Sequence, residues 1–77
     1  MGTSRLPQVT GAKVVRVLER KGWYVKRVHG SHYIMAHAEK RGARVVVPVH
    51  PKPLRKGTLA DIIEQAGLTV EEFLDLL

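Results

Sequence analysis

The chain has 77 residues, 44% of them apolar, no cysteine and a net charge of +6, and that charge is segregated: residues 1–57 carry all 13 Lys and Arg with two acids, a net of +11, while residues 58–77 carry five acids and no base. This length allows one small domain that buries only about 60% of its unfolded surface, and it excludes two independent cores. The missing cysteines exclude a disulfide scaffold and a thiolate zinc site, and no apolar run approaches the ~18 residues that span a bilayer.

Residues 1–9 read as a loose leader, and MGTSRLPQ has no signal-peptide apolar region, so a cytoplasmic protein is expected. In TGAKVVRVLERKG, residues 10–22, Val14, Val15, Leu18 and Ala12 recur at helical spacing opposite Lys13, Arg16, Glu19 and Arg20. Thr10 suits the N-cap, and Gly22 falls where a left-handed residue ends a helix. WYVKRV, residues 23–28, is rich in strand formers. Strict alternation puts Tyr24, Lys26 and Val28 on one face and Trp23, Val25 and Arg27 on the other. His29 and Gly30 make a turn. Ser31–Ala36 reads as a second strand, Ala38–Gly42 as a polar hairpin connection and Ala43–Val49 as a third strand. Pro48 lacks a backbone donor and suits a strand edge or end. The short turns imply an antiparallel meander with the second strand central.

HPKPLRKG, residues 50–57, is a proline- and lysine-rich loop stiffened by its prolines. Thr58 is then expected to cap a helix whose apolar face is Leu59, Ile62, Ile63 and Ala66, with Asp61 in the first turn and Gly67 at its end. Thr69 and Glu72 have capping-box spacing before a short helix bearing Val70, Phe73, Leu74 and Leu77. That apolar strip reads as packing, with partner docking as the other use. The expected fold is a two-layer α+β domain of order α-β-β-β-α, with a three-stranded antiparallel sheet, helices on one face and the other face open.

Four histidines remain as candidates for chemistry, at 29, 32, 37 and 50. No nearby carboxylates accompany His29 and His32, so a metal site is not expected. No acid is placed to orient a Ser31-based triad, and no glycine-rich phosphate loop occurs. What is left is histidine amid positive charge. Imidazole exchanges protons near neutrality, and RNA carries its own nucleophile, the 2′-OH. His32 heads the central strand, Gly30 permits close approach of a phosphate to the backbone, and Ser31 offers a hydroxyl. His29 and His37 read as structural or surface. His50 is either a solvent-facing loop residue or a phosphate ligand and acid for the leaving oxygen. Thr58 is an N-cap, a phosphate contact beside Lys56 at the helix N-terminus, or both. Trp23 and Tyr24 either stack on bases or, for Trp23 especially, belong to the core. Lys26, Arg27, Lys52, Arg55 and Lys56 are the cations expected to grip an RNA backbone.

Five blocks in order carry a resemblance: Lys21-Gly22-Trp23, Gly30-Ser31-His32, Pro48-Val49-His50, Lys56-Gly57-Thr58-Leu59 and Gln65-Ala66-Gly67. From Val9 onward the chain resembles the HicA (YcfA-like) family of toxin mRNA endoribonucleases. The resemblance implies a fold similar to double-stranded-RNA-binding domains. It implies mRNA cleavage without metal or cofactor, the essential histidine of Gly-Ser-His falling on His32. It also implies a HicB-like antitoxin that covers the site. One departure is HPKP after Pro48-Val49, where many members carry a Gly- or Asn-rich segment. The other readings are a non-catalytic RNA-binding module and a basic face made for an acidic protein partner.

Overall fold

A computed structural model of the chain describes residues 6–77. The elements are α1 (Gly11–Arg20), β1 (Trp23–His29), β2 (His32–His37), β3 (Lys40–Pro48), α2 (Lys56–Gln65) and α3 (Val70–Leu76). The strands form one antiparallel sheet in the order β1-β2-β3, as the short turns require. The expected α-β-β-β-α order and central second strand are both present. The leader before Leu6 lies outside the described residues. Beyond it, Leu6 and Val9 are buried in the core.

The sheet alternates. Met35, Val45 and Val47 have no exposed surface and face the helices, while Ile34, Ala36 and Val46 lie on the opposite face and are half-buried. One apolar cluster joins that inner row to Val14, Val15, Val17 and Leu18 of α1, Leu59, Ile62 and Ile63 of α2, and Phe73 of α3. Val17 belongs to this core and Ala12 does not, because α1 buries a broader face than its best-spaced residues suggest. Gly11 is the reason α1 approaches so closely. A Cβ there would overlap the Pro48 carbonyl oxygen.

Thr10 caps α1 by accepting from the Lys13 N–H at 3.4 Å, and Gly22 follows at φ +95°. The Thr69–Glu72 capping box is formed in both directions, at 2.8 and 3.1 Å. The N-terminus of α2 departs from expectation. The helix begins at Lys56, Arg55 is the capping residue and no side chain bonds there. Thr58 therefore lies inside the first turn, half-buried, and Asp61 lies beyond it. Leu77 stays 49% exposed, so the inward face of α3 is Phe73 with Val70, Leu74 and Leu76 beside it.

Two irregularities set the sheet's faces. Val25 pairs with Met35, but Arg27 pairs with Ile34, so Lys26 is an extra residue bulged out of the ladder. Arg27 thereby moves to the open face with Tyr24, and Val28 to the helix side opposite Tyr33. The strict alternation expected from sequence fails at this point. The second shift lies between Ala36, opposite Arg44, and His37, opposite Lys40. The hairpin is therefore only Ala38-Glu39, and Lys40 already belongs to β3.

Candidate functional site

The Gly30-Ser31 turn joins β1 to β2, with His29 and His32 directly opposite each other at its base. Gly30 has φ +57°, a conformation that disfavours any side chain, and open space lies around it. His32 is the first residue of the central strand and pairs on its other side with Pro48. Ser31 is tied to the far edge of the sheet, since its carbonyl accepts the Val49 N–H at 2.6 Å. His50 follows directly. His29, Ser31, His32 and His50 are thus gathered at one end of the sheet, all exposed. No hydrogen bond to the His32 or His50 ring occurs among the described residues.

Register places His32 on the open face. Three cross-strand rungs form that face: Tyr24–Ala36–Arg44, Arg27–Ile34–Val46 and His29–His32–Pro48. Arg27 therefore lies one rung from His32, and Lys26 bulges beside it. Arg44 shares the face, and sequence reasoning passed over it. Its signal was available, because Arg44 precedes Val45 in an alternating run. Tyr24 and Trp23 part company here. Trp23 is 3% exposed and belongs to the core, while Tyr24 is 47% exposed on the open face.

The basic loop after β3 is tethered at both ends. The Val49 N–H bonds to Ser31, the Leu54 N–H donates to the Val9 carbonyl at 2.8 Å, and the Leu54 side chain is buried. Lys52, Arg55 and Lys56 are exposed along it. Lys56 is the first residue of α2, where unpaired backbone N–H groups point outward. Thr58 is carried two residues into the helix.

His37 has the opposite surroundings. Its Nδ1 accepts the Glu39 N–H at 3.1 Å, its Nε2 lies 2.8 Å from the Lys21 carbonyl, and its ring meets Trp23 edge-on with centroids 5.2 Å apart. Lys40 Nζ stands 5.8 Å above the same indole. This cluster fastens β2 to the end of α1. Among the described residues, no three His, Cys, Asp or Glu side chains are grouped closely enough to hold a metal ion. No helix there is long and apolar enough to cross a membrane.

The sequence was also compared with known proteins. No curated protein matches it. The family model described as HicA toxin of bacterial toxin-antitoxin matches residues 11–68, about three quarters of the chain, from the first residue of α1 to just past α2. That span includes the histidine turn, the open face and the basic loop. The chain belongs to the HicA toxin family, whose members act as the toxin of a toxin–antitoxin pair and have a cognate antitoxin as partner.

Proposed function

We propose that the chain is an mRNA endoribonuclease and that His32 performs the proton transfer. The observation that carries this reading is the placement of an exposed histidine at the head of the central strand, on a face bordered by cations. His32 removes the proton of a substrate 2′-OH. The freed oxygen attacks the adjacent phosphorus, the bond from phosphorus to the 5′-oxygen breaks, and that oxygen takes a proton from a second acid. The products are a 2′,3′-cyclic phosphate and a 5′-hydroxyl. His50 is that acid or holds the phosphate, a role supported by the neighbouring Val49 N–H bonding to the Ser31 carbonyl. Ser31 and the open space at Gly30 admit the phosphate to the turn. Lys26 and Arg27 on one side, and Lys52, Arg55 and Lys56 on the other, stabilise the charge that develops on the phosphorane. Thr58 is a weaker candidate for phosphate contact than Lys56, because it is half-buried inside the first turn.

No metal or cofactor enters this scheme. The chain acts as one domain in the cytoplasm. Its antitoxin is of the HicB type and covers the basic face around His32. A non-catalytic RNA-binding module is the second reading. The observation favouring it is the His32 ring, which no described residue orients. A transcript and its all-2′-deoxy counterpart discriminate the two. The transcript is expected to yield 2′,3′-cyclic phosphate ends and the DNA to remain intact. Intact transcript with retained binding, or cleavage of both substrates, contradicts the proposal.

A further inference from the structure

The open sheet face continues well past the histidine turn. At its far end it curves into a concavity of about 330 Å³ lined by Tyr24, Lys26, Arg27, Arg41 and Arg44 among others, with no carboxylate in the lining. All four of these cations are exposed. Ile34 and Ala36 of β2 make a half-buried apolar floor. Cations lining one concavity with no carboxylate among them make a positive potential that attracts an anion, the more so at low salt. Tyr24 adds an exposed ring, 47% accessible, at the rung farthest from His32.

The spacing links the two ends. His32 and Ala36 are four residues apart on β2, about 13 Å at the strand rise of ~3.3 Å per residue. That span is at most about four nucleotides, the number at the ~3.4 Å rise of a fully stacked strand, and fewer for a strand whose bases are splayed. An aromatic ring on a sheet face stacks only on bases that are splayed out, so it selects an unpaired strand over a duplex. An acidic peptide would meet the same cations, but the free strand edges are the outer sides of β1 and β3, whereas β2 is paired on both sides. A peptide strand would therefore add at an edge and not lie across the face where Tyr24 stands.

We propose that the open sheet face, from the Tyr24–Arg44 rung to His32, is a track for an unpaired RNA strand that delivers the nucleotides flanking the scissile bond to the histidine turn. This inference rests on RNA being the substrate. It adds Tyr24, Arg41 and Arg44 as binding residues, and it assigns the Lys26 bulge a purpose, which is to turn Arg27 onto the track.

The test uses a short, fluorescein-labelled, fully 2′-O-methylated single-stranded oligoribonucleotide, which cannot be cut. Its affinity is measured by anisotropy over a range of salt for the parent, Arg41→Gln/Arg44→Gln, Tyr24→Ala, and Lys13→Gln/Arg16→Gln on the exposed side of α1. The two double variants remove equal charge. The sheet-face pair is expected to lower the slope of log affinity against log salt by about 1.4, two contacts at about 0.7 each. Tyr24→Ala is expected to weaken binding about five- to 150-fold, the loss of one base–aromatic stack. The α1 pair is expected to leave the slope near that of the parent. The inference is overturned if both double variants behave alike, which indicates bulk charge only. It is also overturned if the sheet-face variants bind RNA like the parent but lose the antitoxin. A protein that binds along this face yet cuts no transcript removes the histidine mechanism and leaves the track. A protein that cuts while all sheet-face variants bind like the parent removes the track alone.

Discussion

His32 and His37 end the same strand and face opposite layers. His37 is held at both ring nitrogens. Because Nδ1 accepts a backbone N–H, its proton resides on Nε2, which donates to the Lys21 carbonyl. In the neutral ring, 15N shifts are expected to show the proton on Nε2, and a neutral ring protonated on Nδ1 contradicts the geometry. Gly22 is part of the same arrangement. At φ +95° it already disfavours a side chain, and a Cβ would come within 2.6 Å of His37 Nε2. The Lys-Gly-aromatic block that carried part of the family resemblance is therefore a packing device: Lys21 supplies the carbonyl, Gly22 the clearance and Trp23 the ring. From sequence, His32 already stood apart as the head of the central strand, and His37, just past the expected strand end, read as structural or surface. What the sequence could not supply is the set of partners that hold His37, which only the fold brings together.

At the scale of elements, local signals read well where the deciding contacts are local. Thr10, Gly22 and the Thr69–Glu72 box are all settled within a few residues of chain, and all were readable. Thr58 was misassigned because a threonine before an apolar helical run is a good cap on local grounds. The tertiary structure starts the helix at Lys56 instead, where Leu54 is anchored and the backbone is held to Val9. The Lys26 bulge was missed through reliance on strict alternation, although that alternation put Arg27 on the same face as the apolar Trp23 and Val25. A charge there was itself the warning. The capping box makes a separate, measurable claim. The Thr69 backbone N–H holds the Glu72 carboxyl below its ordinary range against an opposing desolvation, with the Thr69 hydroxyl and the nearby Lys21 charge lowering it further by smaller amounts. A carboxylate with a lowered folded pKa stabilises above the unfolded value, near 4.3. That contribution is lost as pH falls through the lowered folded value. The urea midpoint of the parent is expected to drop more steeply below about pH 4.5 than that of Glu72→Ala. Parallel curves contradict the assignment.

At the scale of the whole molecule, the family match ends at residue 68, yet the core does not. Phe73 of α3 has no exposed surface, and the Arg20 guanidinium donates to the Leu76 carbonyl at 3.1 Å, joining α1 to α3. Phe73→Ala is expected to cost about 3–5 kcal/mol, a large share of the stability of so small a domain, measurable by urea unfolding. A loss below about 1 kcal/mol would mean that α3 is an appendage to the core. Fold class, strand order and charge segregation were legible at this scale because they follow from patterning summed over many residues. The open face was legible only as a face. Which cations share it with His32 depends on register, and register depends on one bulged lysine.

The proposed chemistry rests finally on one side chain. The direct test compares parent and His32→Ala on a purified single-stranded transcript with chelator present, alongside their affinity for the uncleavable oligonucleotide. His32→Ala is expected to bind like the parent and to cut about a hundred- to ten-thousandfold more slowly, the range for loss of a general acid–base group. Equal cutting by the two proteins would contradict a catalytic role for His32.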